Sequence, residues 1–511
     1  MIRMQSKLGA FALLVAPFFV GLTGVPSAAG PILVEDEDEE ASEEEEEDDR
    51  WFAIVGGDVY TGHGGVLRGA TVVSKNGVIE EISHDPYLPE GTEKLDARGM
   101  RVYPGLVALS ASSRITRGLF SAADLAPVED PEEVGNFDEL HPDHSSPHEP
   151  STGFPGHIEV GDRLTELAAG DPADIEETFD PFSEFMVLAL ATGITAAEQS
   201  DAAVKLKRGE IDDVLMGEKH LASVTWSIRN PSSIRTAKEK FAAAAAYLRE
   251  YRAWEERGDK DEKEPAKKGV DTNVLRILRG ERMARFNADY REDLLGIARL
   301  AQQYGFRPVI YGCREGWTVA DELGRAGAYA VVTPRTTRVK DEELVREGGS
   351  SIENAAILHA SGVQVAIVPG NTSFELGGIT GRDLIHLPVE AGFAVRGGLS
   401  EQAAFQALTI VPARILGVEH RVGTLEQGKD LDAIVTDGDI LHYQTFVQFA
   451  VVHGKKVYDK QEELFYAHIR PRTELPPLDP GEEPPAEEGP ENEGDEDAPS
   501  EDEESEEDDE E

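Results

Sequence analysis

The chain has 511 residues, of which 99 are acidic and 49 are basic, so its formal net charge is −50. About a third of the acidic residues lie in two short segments near the chain ends, so the rest of the chain is only moderately acidic. No long basic stretch interrupts it, which argues against nucleic acid as a partner, because phosphate recognition needs clustered lysine and arginine. The single cysteine, Cys313, excludes an intramolecular disulfide.

The first thirty residues have the order of an export signal. Two basic residues precede an apolar run over residues 8–25, and small residues follow at 27–29. We therefore predict a signal peptide over residues 1–29 and a mature protein in the periplasm or outside the cell. A permanent membrane anchor is the weaker alternative, because a proline and two glycines interrupt the run; we expect no membrane span in the mature protein.

Two segments of low complexity flank the body of the chain. Residues 30–50 and 471–511 consist largely of Asp and Glu with Pro and Gly, and they have few apolar side chains. Such segments cannot bury enough surface to offset the entropy lost on ordering, so we predict an acidic disordered linker and an acidic disordered tail. Tails that bind calcium or a partner are the alternative.

The body changes its hydrophobic period along the chain. Residues 52–103 form short alternating runs of the kind that strands show, with Asn76-Gly77 as a hairpin turn signal. From about Phe185, short apolar runs alternate with helical stretches, which predicts an α/β fold with parallel strands and favours an eight-stranded barrel. The final part of the body returns to strand alternation.

These features resemble a known family. Pro104-Gly105-Leu106, the helical run from Thr409 to Gly417 and the run from Gly423 to Asp432 are similar to the amidohydrolase superfamily, in particular its imidazolonepropionase-like branch. The resemblance implies a TIM-like (β/α)8 barrel over residues 104–420. It also implies a small composite β-sandwich built from residues 51–103 and 421–460.

The resemblance further implies a divalent metal at the carboxyl ends of the barrel strands. Histidines of strands one, five and six, an aspartate of strand eight and, in some branches, a lysine of strand four hold such an ion, which activates water for attack on an amide-type carbonyl. In this chain every one of these positions has a different residue. They fall on Ser110 and Ser112 (strand one), Val224 (strand four), Asn287 (strand five), Gly312 (strand six) and Gly370, or Asn371 with a slip of one (strand eight).

Hydroxyl and amide groups are poor zinc ligands, and glycine has no side chain to offer one. These replacements predict a vestigial site with no metal, no cofactor and no catalytic residue of the family type. One lost ligand could be an error of alignment. The joint loss on independent strands is harder to explain in that way.

Other residues that could form a functional site also have simpler structural interpretations. His141, His144, His148 and His157 have spacings that could gather a metal, but they lie in a Pro-rich segment that predicts a surface loop. Cys313, close to Glu315, suggests a nucleophile, but no histidine neighbours it in sequence to act as base, which favours a structural thiol.

Two groups of charged residues are further candidates for a functional site. Asp289 and Asp293 could be carboxylates at the barrel mouth, although their spacing favours a solvated face at a helix start. The basic group of Lys205, Lys207 and Arg208 could receive an anionic ligand, with a surface position as the default.

Two function classes remain open on the sequence. The first is a non-catalytic protein of the cell envelope that binds a small molecule or an envelope partner. The second is a hydrolase of carbon–nitrogen bonds other than peptide bonds, as the resemblance implies. The missing ligands favour the first. Relatives in the family are often oligomers, so an oligomer is an expectation by analogy.

Overall fold

The computed structural model describes residues 49–112, 114–117, 175–199, 201–258, 263–336, 348–374 and 381–463. The predicted signal peptide, the four histidines at 141–157 and the predicted tail at 471–511 lie outside these ranges, as does nearly all of the linker at 30–50. None of the described helices is long and apolar enough to cross a membrane.

The strands of the described chain are numbered in chain order. They are β1 (Trp51–Tyr60), β2 (Val66–Lys75), β3 (Val78–Ser83), β4 (Glu93–Asp96), β5 (Arg101–Pro104), β6 (Leu106–Ala108), β7 (Ile194–Gln199), β8 (Ala202–Lys205), β9 (Leu215–Glu218), β10 (Leu221–Ser223), β11 (Met283–Ala288), β12 (Pro308–Gly312), β13 (Tyr329–Val332), β14 (Gln364–Ile367), β15 (Ala433–Thr436), β16 (Val447–Val452) and β17 (Lys455–Asp459).

The helices are numbered in the same way. They are α1 (Arg114–Arg117), α2 (Ile175–Thr178), α3 (Glu184–Thr192), α4 (Pro231–Arg257), α5 (Thr272–Leu278), α6 (Arg291–Tyr304), α7 (Ala320–Arg325), α8 (Asn354–Ala360), α9 (Leu387–Arg396), α10 (Glu401–Gln406) and α11 (Ile410–Leu416), with 3₁₀ turns at Gly316–Thr318 and Leu384–His386.

One eight-stranded sheet joins the two ends of the body. Its order is β17-β16-β15-β5-β1-β2-β3, and β4 pairs with β1. Strand β5 is the link, because it runs parallel to β1 and antiparallel to β15. The hairpin turn between β2 and β3 is the predicted Asn76-Gly77, where both residues have positive φ (51° and 84°), as a tight two-residue turn requires. The sheet uses the two segments that were assigned to the composite sandwich; a second layer remains a prediction.

The parallel strands lie in two further sheets. The four-stranded sheet has the order β6-β7-β8-β9, and the five-stranded sheet β10-β11-β12-β13-β14 is parallel throughout. Strands β6 and β7 are also parallel, but β8 runs antiparallel to both of its neighbours. A hairpin therefore follows β7, which departs from the predicted alternation of strands and helices.

The chain itself connects these two sheets on one side, and backbone hydrogen bonds bridge them through residues 407–408 on the other. Only Lys219 and His220 separate β9 from β10; the Lys219 N–H donates to Asp201 O, and His220 O accepts from Met283 N. On the other side, residues 407–408 lie between β14 and β6, because Ile367 N donates to Ala407 O and Val107 N to Leu408 O. The α/β class is thereby confirmed, whereas a closed eight-stranded barrel stays a prediction.

One apolar cluster draws on both sheets. It contains Val107 of β6, Ala196 of β7, Val309 of β12 and Ala366 of β14, and helix α11 packs against it. Alternate residues of the same strands belong to a second, larger cluster under the helices. The period of two in a strand explains this division into an inner and an outer face.

Helix α6 illustrates how the sequence covers the outer face. Leu294, Ile297, Ala298 and Ala301 recur at helical spacing and are buried. Acidic residues occupy the first turn, where they favour the helix dipole, and Gly305 ends the helix in the left-handed conformation with φ 74°. The short loop after this glycine leads directly into β12.

Candidate functional site

Four side chains at the carboxyl edge of the parallel strands form a hydrogen-bonded group, which we call the polar cluster: Ser110, Glu198, Arg285 and Tyr311. Glu198 Oε2 accepts from the Ser110 N–H at 2.7 Å and from the Tyr311 hydroxyl at 3.0 Å. Arg285 donates from Nη1 to Glu198 Oε1 at 3.0 Å and from Nη2 to Ser110 Oγ at 3.2 Å. Both carboxylate oxygens of Glu198 are therefore engaged.

The polar cluster is largely shielded from water. The side chain of Glu198 is 3% exposed and that of Arg285 is 21% exposed. The guanidinium carbon of Arg285 lies 4.0 Å from the ring centre of Tyr311, which places the cation over the aromatic face. Burial and the neighbouring charge of Glu198 raise the pKa of Tyr311, so its hydroxyl stays protonated and donates. The result is a compact, neutralised group.

Strand geometry places these side chains together. Ala284 and Phe286 of β11 belong to the outer cluster, so Arg285 and Asn287 face the opposite side by alternation. Tyr311 of β12 packs with the inner cluster. Ser110 follows β6 with a φ of 52°, an uncommon left-handed conformation for a serine, and its N–H is fixed by Glu198.

The predicted strand-one and strand-five positions lie at this edge. Ser110 is part of the polar cluster itself. Ser112 is tied to the loop after β14, because its N–H donates to Thr372 O at 2.9 Å, and its own O accepts from Gln199 Nε2 at 3.1 Å. Asn287 is exposed and pairs in register with Tyr311 on the next strand.

The remaining predicted positions are spread along the same edge. Gly312 has φ 93°, and a Cβ there would lie 2.5 Å from Asp289 Oδ1. Gly370 is exposed, and Asn371 uses its side-chain oxygen to accept from the Ser373 N–H at 3.0 Å. Val224 lies just beyond β10 and packs against the outer cluster, so its side chain points away from the inner face.

The side chains at this edge do not fit the metal that the amidohydrolase resemblance implies. Within the described ranges, no three His, Cys, Asp or Glu side chains come together as a metal-binding group. The carboxylate of Glu198 already accepts three hydrogen bonds, and the hydroxyl of Ser110 receives one from the Arg285 guanidinium. A fixed cation beside these oxygens opposes a second cation, and serine is a poor zinc ligand.

A small cavity of about 190 Å³ lies at the carboxyl ends of β11, β12 and β13. Asp289, Gly312, Arg314 and Thr333 line it, together with Asn354. Arg314 donates from Nη2 to Asp289 Oδ2 at 2.6 Å, while its buried Nε has no hydrogen-bond acceptor among the described residues. A buried donor of this kind calls for an acceptor on a ligand or a water molecule.

Cys313 is a structural thiol in this structure. It is fully buried, and burial, with a smaller contribution from Asp289, raises its pKa to about 12. A thiolate nucleophile at neutral pH is therefore disfavoured, as the sequence indicated.

We expect the Cys313 thiol to resist Ellman's reagent in the native protein and to react with one equivalent after unfolding, because the chain has one cysteine. The raised pKa stabilises the fold at neutral pH, and this contribution should be lost as the pH rises from the ordinary value of 9.0 toward about 12. Fast labelling of the native protein near neutral pH would contradict this description.

The prediction of a solvated face for the two aspartates is wrong for Asp293. Its side chain is buried, accepts from the Ile228 N–H at 2.6 Å, and has a pKa raised by that burial. Asp289 is half-buried and pairs with Arg314. Asp293 therefore binds the backbone of Ile228, whereas Asp289 pairs with the guanidinium of Arg314.

The surface placement predicted for the basic group is also wrong. The side chain of Lys205 is 0% exposed and contacts Asp430 at 2.8 Å and Asp432 at 2.9 Å. Lys207 is buried as well and donates to Asp212 O at 2.8 Å, while Arg208 pairs with Glu463. The Lys205 ion pairs attach the β8–β9 hairpin to the residues before β15, the Lys207 bond closes the hairpin loop, and Arg208 binds the chain after β17. The basic residues therefore hold the fold rather than an anion.

Sequence reasoning missed Glu198 and Arg285. Both follow from the same alternation that defined the strands: Arg285 shares a strand face with Asn287, and Glu198 ends the apolar run of β7. Glu198 and Arg285 are not at the family's ligand positions, so a comparison restricted to those positions did not identify them.

The comparisons with known proteins concern one segment of the chain and its fold. Residues 329–461 match the amidohydrolase family. The crystal structure of an amidohydrolase from Thermotoga maritima MSB8 superposes with a TM-score of 0.54 and 20% identity, over 80% of this chain and 100% of that one. The chain thus has an amidohydrolase-family segment and an amidohydrolase-type fold, which confirms the resemblance to the superfamily.

A curated relative matches over a shorter length. N-acetylglucosamine-6-phosphate deacetylase of Danio rerio is 40% identical over 68 residues, which are 13% of this chain and 16% of that protein. Because the match spans a sixth of the relative, its activity does not carry over as a finding.

Proposed function

We propose that this chain is an exported, catalytically degenerate member of the amidohydrolase superfamily that binds a small molecule or an envelope partner at the carboxyl edge of a closed barrel. The observation that carries the proposal is the position of Arg285. Its guanidinium bridges Glu198 and Ser110, the residue at the first histidine position of the family. Arg285 thus places a fixed cation, balanced by Glu198, where a metal would otherwise bring positive charge.

The cavity beside Gly312 supports ligand binding at this edge. Gly312, at the sixth-strand position where the family places an imidazole, lines this cavity. The Nε of Arg314, which has no hydrogen-bond partner among the described residues, offers a donor. A volume of about 190 Å³ suits a small polar molecule or one end of a larger one. An acceptor such as a carboxylate or carbonyl oxygen would complete the hydrogen bonding of Arg314.

A hydrolase of carbon–nitrogen bonds, of the imidazolonepropionase-like branch, is the second candidate. The amidohydrolase-family segment and the 68-residue likeness to a deacetylase favour it. In that case the attacking water would need activation by residues outside the polar cluster, since Glu198 already accepts three hydrogen bonds.

Two measurements distinguish the binding protein from the hydrolase. They are elemental analysis after dialysis and assays of amide and lactam hydrolysis with and without chelator. We expect no stoichiometric zinc, iron or manganese and no chelator-sensitive turnover, because a zinc site needs several N, O or S donors within about 2.0–2.3 Å of the ion. Replacing Ser110 by histidine should not restore binding, because one imidazole cannot hold an ion against water. One equivalent of metal with chelator-sensitive turnover would establish the hydrolase instead.

A further inference from the structure

A second cavity, of about 890 Å³, lies at the amino edge of the parallel strands. The loops that lead into β10, β11, β12, β13 and β14 form its walls, together with residues of helix α11 and the loop after it. It is therefore on the opposite side of the strands from the polar cluster, and the proposed function makes no use of it.

The charge of this cavity is strongly one-sided. Arg279, Arg282, Arg307 and Arg414 line it, and we call it the arginine cavity. One carboxylate, that of the exposed Glu419, is also part of the lining. Four guanidinium groups around one space produce a positive potential, which the low dielectric of the walls strengthens.

The arginines have little compensation from the protein. Arg282 Nη1 donates to Asn273 Oδ1 at 3.0 Å, and Arg414 Nη1 donates to Gln364 Oε1 at 3.2 Å, so both partners are neutral amides. In the part of the chain that the structure describes, the ion pairs within 4.0 Å do not include Arg282, Arg307 or Arg414.

Arg279 is the exception, but its pair is weak. Its Nη1 lies 3.8 Å from Glu281 Oε1, and both side chains are substantially exposed. Exposed pairs of this kind contribute little because water screens them. In a chain with 99 acidic and 49 basic residues, arginines without a counter-ion in one cavity indicate an anion from outside.

Local structure keeps the cavity open. Helices α5 and α6 are each followed by a glycine with positive φ, Gly280 at 78° and Gly305 at 74°. A Cβ at either position would meet no atom within 4 Å, so these two glycines face open space in the cavity wall. The arginines thus remain reachable from solvent while their loops stay short.

We propose that the arginine cavity binds a small ligand that carries phosphate groups. Guanidinium groups bind phosphate oxygens through paired hydrogen bonds, and a phosphate monoester offers three oxygens and nearly two charges to several arginines at once. A volume of about 890 Å³ lies in the range of small-molecule sites. Dicarboxylates carry similar total charge, but only one charge on each group.

Titration calorimetry of the full-length protein with inorganic pyrophosphate tests this assignment. We expect saturable binding at one site that weakens as salt is added, because screening reduces charge–charge attraction. The Arg282→Gln/Arg414→Gln double variant should bind about 100-fold more weakly, which corresponds to about tenfold for each arginine. Arg68→Gln is the matched control, since that side chain is 83% exposed and, among the described residues, forms one ion pair, with Asp58 at 3.7 Å.

Several results would overturn the proposal. They are absence of pyrophosphate binding, equal or tighter binding of succinate, or unchanged affinity in the double variant. If the double variant does not fold, Arg307→Gln replaces it, because Arg307 is exposed and has no ion pair among the described residues. Arg314→Gln reports on the other edge; an equal loss there would place the anion at the carboxyl-edge cavity and reject the arginine cavity.

Discussion

Replacement of Arg285 by methionine is expected to lower the free energy of unfolding by about 3–5 kcal/mol, since it leaves a buried carboxylate without its cation. Glu198 is 3% exposed and would keep only the Ser110 N–H and the Tyr311 hydroxyl as donors. Methionine approximates the length of the arginine stem, so the loss reports mainly on charge. Urea denaturation of the two proteins at neutral pH measures the difference.

A paired replacement separates this electrostatic effect from lost packing. The Arg285→Met/Glu198→Gln double variant should recover a large part of the stability, because it removes the unpaired charge that the single variant creates. Arg68→Gln should change the unfolding free energy by less than about 0.5 kcal/mol, as is usual for an exposed pair. A loss below about 1 kcal/mol in Arg285→Met would contradict the description of Glu198 as a buried carboxylate that depends on Arg285.

The sequence predicted well those parts of the fold that local chemistry determines. Asn76-Gly77 specified its hairpin, and the apolar alternation in β11 and β12 placed Asn287 and Gly312 at strand ends. The linking of the chain ends through β5 and β15 came from the family resemblance, because no local signal in these strands identifies a partner more than 300 residues away.

What the sequence could not supply is the burial of charged side chains. Lys205 and Asp293 were assigned to the surface because isolated charged residues are rarely buried. Their burial depends on partners far along the chain, Asp430 and Asp432 for Lys205 and the Ile228 N–H for Asp293. Such pairings follow from the tertiary fold, and hydrophobic periodicity carries no information about them.

The same limit applies to the hairpin of β8 and β9. Its short apolar runs are compatible with a parallel unit as well as with an antiparallel one. In the structure β8 is antiparallel to β7, and Lys205 at its end pairs with Asp430 before β15. The hairpin is therefore part of the contact with the eight-stranded sheet. A basic residue that sequence analysis treats as a possible ligand site thus becomes a structural element that joins the hairpin to the eight-stranded sheet.

Replacement of Lys205 by methionine should therefore destabilise the protein by about 3–5 kcal/mol near neutral pH, because two buried carboxylates lose their common cation. Burial opposes the charge of Asp430, yet Lys205 and Arg421 together hold its pKa below the usual 3.8, so in the native protein this carboxylate stabilises the fold above that pH. That stability is lost as the pH falls through the lowered pKa.

In the variant, Asp430 keeps its pair with Arg421 but loses Lys205, so burial should raise its pKa relative to the native protein. The deficit of the variant relative to the native protein should shrink as the pH is lowered toward about 4, because protonation then removes the charge of Asp430 that Lys205 had compensated. Lys456→Met is the matched control, because Lys456 is partly exposed and pairs with Asp459 three residues away. A deficit that stays constant with pH would mean that Lys205 contributes through the packing of its stem, and that Asp430 and Asp432 find other partners.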